Sequence, residues 1–211
     1  MHKILFFLLI ISIHSFALTL DQVRADLKKN SISGDSIELS VRTSVSTVGS
    51  KQSVSVFFVQ KGKNKIYSEI NTSFLNQRSI VNDSRMKIID LNTNKFQIIP
   101  YNGEPLDVVS YTNFNPLASG EWGEPKFVSE NLYSIKGDKG TLFYNSKKKR
   151  IEKMETEEKD KFVLTDFSYD VENNLKTMTV HVSAQGVETT IVTEILKLRH
   201  SRDFPDKLFE F

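Results

Sequence analysis

The stretch from Ser36 to Val45 reads SIELSVRTSV and decides the fold class of this chain. Apolar residues recur at every second position through Ile37, Leu39 and Val41, with polar or charged residues between them. A period of two predicts a β-strand with one face toward a core and the other toward water. The turn-forming sequence VGSK that follows at residues 48–51 predicts a hairpin.

Eleven further segments repeat this pattern, and short connections separate most of them. They are Val54–Gln60, Ile66–Phe74, Arg78–Asn82, Met86–Leu91, Phe96–Ile99, Phe127–Ile135, Thr141–Asn145, Arg150–Thr156, Phe162–Tyr169, Thr177–Val182 and Thr189–Leu198. Short connections predict that sequential strands pair antiparallel. The sequence therefore predicts a mainly β fold with few helices. We expect one strongly curved antiparallel sheet, an unclosed β-barrel of about eleven or twelve strands.

Two regions of the chain depart from the strand pattern. The segment Thr19–Gln22 has the spacing of a capping box, and Leu20, Val23 and Leu27 then recur at helical spacing. We therefore expect one amphipathic helix at the start of the domain, ending between Asn30 and Gly34. Between residues 100 and 125 the chain carries four of its five prolines, so this window predicts an excursion over the sheet, with a short helical lid.

The first seventeen residues have the composition of a secretory signal peptide. A basic start at Lys3 precedes an apolar run from Ile4 to Ile13, and Ser15 and Ala17 occupy the −3 and −1 positions of a cleavage site. A membrane anchor is the alternative, but about ten apolar residues are too few to span a bilayer. We expect export to the periplasm with cleavage after Ala17. Residues 18–211 then form one domain.

Composition excludes several function classes. The chain has no cysteine, which excludes thiol catalysis and thiolate zinc sites, and its net charge of +2 argues against nucleic acid as a partner. His181 and His200 have no metal-ligand spacing, and Ser84 and Ser146 match a Ser-x-x-Lys pattern only on strand or turn segments. We therefore expect no enzyme, no cofactor and no metal site.

Large apolar side chains are unusually abundant on the alternating strands. The members of the in-phase set are Leu39, Val41, Val56, Phe58, Ile70, Met86, Ile88, Phe96, Ile98, Met178 and Val180. We expect this set to line one face of the sheet, with Phe114 and Trp122 closing over it from the lid. Periodicity alone leaves two alternatives open, a filled core or an apolar cavity.

Two segments resemble the LolA-type periplasmic lipoprotein carriers and their superfamily of outer-membrane lipoprotein-sorting proteins. Ile80–Asp90 resembles the family's stretch in which one strand ends at an Asn/Asp-Asp turn and the next begins with an apolar pair. Phe204–Phe209 resembles its C-terminal Pro-Asp ending. The resemblance covers nearly all of the chain after Asp21. It departs from the family at Ser84, which replaces a turn glycine, and at Lys61–Lys65, where the carriers place an arginine that latches the lid.

The resemblance implies an eleven-stranded unclosed barrel that encloses acyl chains, and so favours the cavity over the filled core. The expected partners are acylated lipoproteins or another lipid, with an inner-membrane donor and an outer-membrane acceptor, and the expected state is a monomer. Two function classes stay open: a carrier that delivers its ligand toward the outer membrane, and an envelope lipid-binding or sensor protein that does not transport it. An envelope hydrolase is a third alternative.

The signal peptide gives the first testable prediction. Protein purified from the periplasm should begin at Leu18 on N-terminal sequencing, because Ala17 is the last residue of the predicted cleavage motif. Replacing Ala17 with a bulky Leu should block this cleavage, whereas Ala17→Gly should preserve it. A membrane fraction that retains Met1 in the wild-type protein would contradict the prediction.

Overall fold

The computed structural model describes residues 18–29, 36–103, 115–200 and 204–211. Its framework is one antiparallel sheet of thirteen strands, preceded by one α-helix. The elements are α1 (Leu20–Lys29), β1 (Ser36–Thr47), β2 (Ser50–Lys61), β3 (Lys65–Asn71), β4 (Asn76–Asn82), β5 (Arg85–Asp90), β6 (Phe96–Pro100), β7 (Lys126–Ser129), β8 (Leu132–Gly137), β9 (Gly140–Asn145), β10 (Arg150–Glu158), β11 (Lys161–Tyr169), β12 (Leu175–Ala184) and β13 (Val187–His200).

The order of strands across the sheet is β6-β5-β4-β3-β2-β1-β13-β12-β11-β10-β9-β8-β7. Two runs of hairpins, β1 to β6 and β7 to β13, are thus joined by the pairing of β1 with β13. The outermost strands, β6 and β7, do not pair, so the sheet is not closed into a barrel. This confirms the predicted fold class, an unclosed and mainly β architecture with an N-terminal helix.

The strand count is thirteen rather than eleven or twelve, because the predicted segment Phe127–Ile135 forms two strands. A turn at Glu130 and Asn131 separates β7 from β8. Asn131 adopts a left-handed backbone conformation with φ of 61°, which asparagine tolerates better than most residues. The apolar residues on both sides of this turn obscured it in the sequence.

Helix α1 begins at the predicted capping box. The Thr19 hydroxyl accepts a hydrogen bond from the Gln22 backbone N–H at 3.3 Å, and the Gln22 side chain accepts one from the Thr19 N–H at 3.0 Å. Leu20, Val23 and Leu27 are buried against the sheet. The first backbone N–H groups of a helix have no partner within the helix and otherwise bind water. The capping box satisfies two N–H groups here, and so it fixes where the helix begins.

One face of the sheet carries α1, and we call it the inner face. Under the helix lies a core built from β8 to β11 together with the buried side chains of Leu117 and Trp122. Tyr144 fastens the helix to this core, since its hydroxyl donates a hydrogen bond to Asp26 at 2.9 Å. Burial, reinforced by this bond, raises the pKa of Tyr144 above its ordinary value.

The described part of the proline-rich excursion contributes a single 3₁₀ turn, Pro116–Ala118. Asn115 caps it by accepting a hydrogen bond from the Leu117 N–H at 3.1 Å. Phe114 lies outside the described residues, whereas Trp122 forms an isolated β-bridge with Gly137 at the end of β8. The Trp122 indole donates a hydrogen bond to the Ser119 carbonyl at 2.9 Å. Trp122 thus lies within the packed core.

The C-terminal segment, residues 204–211, covers the outer face of β2 to β4. Phe204 and Phe209 are buried against Val59 of β2 and Ile80 of β4. Lys61 and Lys65 donate hydrogen bonds to Asp206 at 2.8 and 3.0 Å. Lys61 and Lys65 therefore bind the C-terminal segment to the end of β2 and the beginning of β3.

The ion pairs of Asp206 predict a pH-dependent stability. Hydrogen bonds from Lys61 and Lys65 hold the pKa of Asp206 below its ordinary value of 3.8. A carboxyl whose pKa is lowered by folding stabilises the fold above its unfolded pKa, and this contribution is lost as the pH falls through the lowered value. We expect Asp206→Asn to lower the melting temperature at pH 7. The difference from the wild type should shrink below pH 3.8.

Asp160→Asn provides the control for this measurement, because Asp160 is an exposed aspartate in the turn between β10 and β11. Its melting temperature should follow that of the wild type at both pH values. If Asp206→Asn lowered the melting temperature equally at pH 7 and at pH 2, the ion pairs would not be the cause.

Candidate ligand-binding face

The strand register determines which side chains share the inner face. Directly opposed residues of paired strands point to the same side of a sheet. Leu39 of β1 lies opposite Phe58 of β2, and Val41 lies opposite both Val56 and Ile195. The register continues outward to Ile70 and Ile88 on one side and to Met178 and Val180 on the other.

Nine of the eleven residues in the predicted in-phase set lie on the inner face. They are Leu39, Val41, Val56, Phe58, Ile70, Met86, Ile88, Met178 and Val180. The remaining two lie on the outer face, because Phe96 pairs with Ile89 and Ile98 pairs with Lys87. The predicted phase of β6 is therefore wrong by one residue, and Ile99 points inward in their place, opposite Met86.

The nine residues differ in burial, and this divides the face into two parts. Leu39, Val41 and Phe58 are at most 3% exposed and belong to a packed core with Ile66 and Val81. Met86 and Met178 are partly buried against the two cores. The filled-core alternative thus holds for this part of the face.

The second part is a set of partly exposed apolar side chains on the same face, which we call the open strip. Its members are Val45, Val54, Val56, Ile70, Ile88, Val163, Val180, Val182 and Ile191. Its central row runs from Val45 through Ile191 to Val180, which are directly opposed on β1, β13 and β12. Val45 is 36% exposed. Apolar surface that neighbouring side chains do not bury is available to an apolar ligand.

The open strip lies toward one end of the sheet. Since the strands are antiparallel, the β1–β2, β3–β4 and β5–β6 turns share that end with the β10–β11 and β12–β13 turns. Parts of the packed cores lie toward the other end, where Ile66 follows the β2–β3 turn and Ile151 follows the β9–β10 turn. Trp122 of the core under α1, however, bridges Gly137 at the β8–β9 turn, which is at the same end as the strip. Among the described residues, the inner face is thus filled over β8 to β11 and incompletely covered along the open strip.

Hydroxyl groups lie between the apolar side chains at the centre of the strip, and Gln52 and Gln77 lie opposite Val45 and Ile70. Thr43 and Thr193 are opposed on β1 and β13, and their hydroxyls form a hydrogen bond of 3.1 Å. Thr193 is buried, and this bond satisfies both groups without a charge. The central part of the strip can therefore contact an alkyl chain without desolvating an ionised side chain.

Five members of the strip lie outside the set predicted from the sequence: Val45, Val54, Val163, Val182 and Ile191. Val163 lies within the apolar run Phe162–Leu164, in which adjacent apolar residues conceal the phase. The outward neighbours Phe162 and Leu164 pair with Ser183 and His181 on the outer face. Val45, by contrast, continues the alternation of β1, so the signal for it was present.

A separate cavity of about 400 Å³ opens between the beginning of β12 and the last residues of β13. Polar and charged side chains from Asp170 to Lys176 and from Lys197 to His200 line most of it. Only Leu175, Ile195, Leu196 and Leu198 contribute apolar side chains. This mixed lining suits an alkyl chain less well than the open strip does.

The residues considered for catalysis are dispersed. Ser84 is exposed in the β4–β5 turn, and the Ser146 hydroxyl donates a hydrogen bond to the Asn131 carbonyl at 3.3 Å. His181 is exposed on the outer face, 3.3 Å from the Thr190 hydroxyl, and His200 ends β13. Among the described residues, no three His, Asp or Glu side chains group as metal ligands. No helix within the described ranges is long and apolar enough to span a membrane.

The division of the inner face predicts different responses to a buried charge. Phe58→Glu should cost several kcal/mol of folding free energy, because it places an unpaired carboxylate at a site that is 1% exposed. Val45→Glu should cost less than about 1 kcal/mol, because its carboxylate reaches water. Chemical denaturation of both variants measures the difference. Equal and severe destabilisation would show that the strip is part of a filled core.

Three solved structures resemble this chain. A LolA superfamily protein from Nitrosomonas europaea superposes with a TM-score of 0.55 over 92% of this chain and 99% of its own, at 14% sequence identity. A DUF1329 family protein from Desulfovibrio piger has a TM-score of 0.47 at 11% identity, covering 89% of this chain and 94% of its own. A Vibrio parahaemolyticus domain provisionally assigned to outer membrane lipoprotein sorting has a TM-score of 0.46 at 7% identity, with the same two coverages.

The latter two superpositions are too distant to support an argument about this chain. No protein-family model matches the sequence, and neither does any curated protein. The first superposition, in contrast, spans nearly the whole of both chains and includes the open sheet described above. This chain therefore has the fold of the LolA superfamily.

Proposed function

We propose that this protein is a periplasmic carrier that binds acyl chains of lipoproteins, or another lipid, along the open strip and delivers them toward the outer membrane. The single observation that carries the proposal is the row of partly exposed apolar residues from Val45 through Ile191 to Val180 on the inner face. The fold of the LolA superfamily supports it, as does the predicted signal peptide at residues 1–17.

The physical need for such a carrier is large. At about 0.8 kcal/mol per buried methylene, a sixteen-carbon chain costs about 12 kcal/mol to expose to water. Contact with the valine and isoleucine side chains of this face removes much of the alkyl chain from water. Because the threonine hydroxyls are already hydrogen-bonded, the ligand needs no polar group at this position. Such a face recognises alkyl chains by their apolar surface, so we expect broad tolerance of chain length and headgroup.

A catalytic function has less support. Ser84, Ser146, His181 and His200 lie on separate turns and strands, and a hydrolase needs a nucleophile and a base within hydrogen-bond reach. We propose that the protein is not an enzyme. We expect no hydrolytic turnover that depends on any of these four residues; an Ala variant that stays folded but loses a measured turnover would contradict this.

Lipid binding is the decisive test. Mass spectrometry of the purified native protein should detect copurifying lipid. Val45→Glu and Val180→Glu should each lower the affinity for a fluorescent fatty acid by about tenfold or more, because they place a charge where the chain lies. Ile98→Glu is the matched control, since Ile98 is 46% exposed on the outer face of β6. Its affinity should equal that of the wild type.

Absence of lipid in the native protein, together with no binding of the fluorescent probe, would overturn the proposal. Transfer of a labelled lipoprotein between two membrane populations separates a carrier from a sensor. A carrier accelerates this transfer, and Val45→Glu abolishes the acceleration. A protein that binds the probe but leaves transfer unchanged is the alternative, a non-transporting binding or sensor protein of the envelope.

A further inference from the structure

Three neighbouring turns at one end of the sheet carry exposed apolar side chains. Val48 in the β1–β2 turn is 90% exposed, Phe74 in the β3–β4 turn is 78% exposed, and Phe96, where β6 begins, is 61% exposed. Leu75 beside Phe74 is 38% exposed. Because β1 to β6 are consecutive antiparallel strands, these turns project side by side from the same end. We call these four residues the turn rim.

Hydrogen bonds hold the turns of the rim in shape. The Thr72 hydroxyl accepts from the Phe74 and Leu75 backbone N–H groups at 3.2 and 2.8 Å. The Asn76 side chain donates to the Asn92 side chain at 2.8 Å, which joins the β3–β4 turn to the β5–β6 turn. These hydrogen bonds hold the β3–β4 and β5–β6 turns in a fixed conformation in which the apolar side chains of the rim are exposed to solvent. Exposed large apolar groups on an ordered scaffold are a cost in water unless a partner covers them.

The charges around the rim are complementary to an anionic surface. Lys51 and Lys95 are exposed beside Val48 and Phe96. The carboxylate of Asp90, the last residue of β5, accepts hydrogen bonds from the Asn92 and Thr93 backbone N–H groups at 2.8 and 3.1 Å, which stabilise its negative charge locally.

The remaining half of the same end differs in charge. Lys159 and Asp160 form the β10–β11 turn, flanked by Glu157, Glu158 and Lys161, and Glu188 lies beside the β12–β13 turn. An anionic surface would repel these carboxylates. Contact with such a surface would therefore be confined to the β1–β6 half, with the sheet tilted against it.

We propose that the turn rim is a docking surface for the headgroup region of a bilayer that contains anionic lipid. Phenylalanine and valine tips insert shallowly among the headgroups, and the flanking lysines attract anionic phosphates, as in other interfacial anchors. Separate protruding tips suit a fluid lipid surface better than a flat protein interface. The inference rests on the proposed function in one respect: the open strip lies toward the same end, so docking there brings the strip to the membrane.

The test is flotation of the protein with vesicles of phosphatidylcholine alone and with about 30% phosphatidylglycerol added, which supplies anionic headgroups. The wild type should float with the anionic vesicles and less with the neutral ones. Phe74→Ser should lower binding about tenfold, because it removes the most exposed aromatic side chain of the rim. Lys51→Gln with Lys95→Gln should abolish the preference for anionic vesicles.

Val171→Ser is the matched control, since Val171 is fully exposed in the β11–β12 turn at the opposite end of the sheet. It should bind vesicles like the wild type. All of these positions are exposed, so thermal melts should not distinguish the variants from the wild type.

Failure of the wild type to float with either vesicle would overturn the inference, as would equal loss of binding in Phe74→Ser and Val171→Ser. A dimer in analytical ultracentrifugation that Phe74→Ser dissociates, with no vesicle binding, would assign the rim to a second copy of the chain instead. The fluorescent fatty acid assay keeps the two proposals apart. Phe74→Ser should bind the fatty acid normally, whereas Val180→Glu, in the middle of β12 and away from the rim, should float normally and bind the fatty acid more weakly.

Discussion

The pairing of β1 with β13 is the interaction on which the rest of the structure depends. It joins two runs of hairpins that otherwise contact their own neighbours in sequence, and it brings Thr43 and Thr193 together across 150 residues. Closing a loop of that length is entropically costly, so the pairing needs many contacts to repay it. Ten residue pairs supply them. On the inner face, Leu39 packs opposite Leu198. On the outer face, Glu38 forms salt bridges with Lys197 and Arg199.

This central pairing also determines which side chains of each remaining strand lie on the inner face and which lie on the outer face. Because side chains alternate along a strand, a shift of one residue between β1 and β13 would exchange the inner and outer faces of one half of the sheet relative to the other. A bulge in β13 opposite Ser40 and Val41 makes such a shift locally and places Ile195 and Leu198 on the same face. The open strip crosses from Val45 to Ile191 because the register beyond the bulge is regular.

Local signals in the sequence predicted the elements well, and long-range contacts account for the misses. The capping box at Thr19 and the alternation in β1 act within a few residues, so they can be read from the chain. Which side chains of β6 point inward depends on the number of residues in the turn after Asp90. Because Ile98 and Ile99 are both apolar, the sequence is compatible with either one on the inner face. No local pattern could show that Lys61 and Lys65 bind Asp206, or which part of the inner face is filled.

A sheet with apolar residues on both faces must have both faces covered, and the covers of this sheet are unequal. On the outer face, Phe204 and Phe209 are buried against β2 and β4, and ion pairs at Asp206 hold them there. On the inner face, α1 and Trp122 bury residues of β8 to β11. The inner residues of β1, β2, β12 and β13 toward the β1–β2 turn stay partly exposed. Protein cores are normally filled by the chain's own side chains. Since the open strip stays partly exposed beside two well-packed cores, the group that covers it is expected outside the described residues.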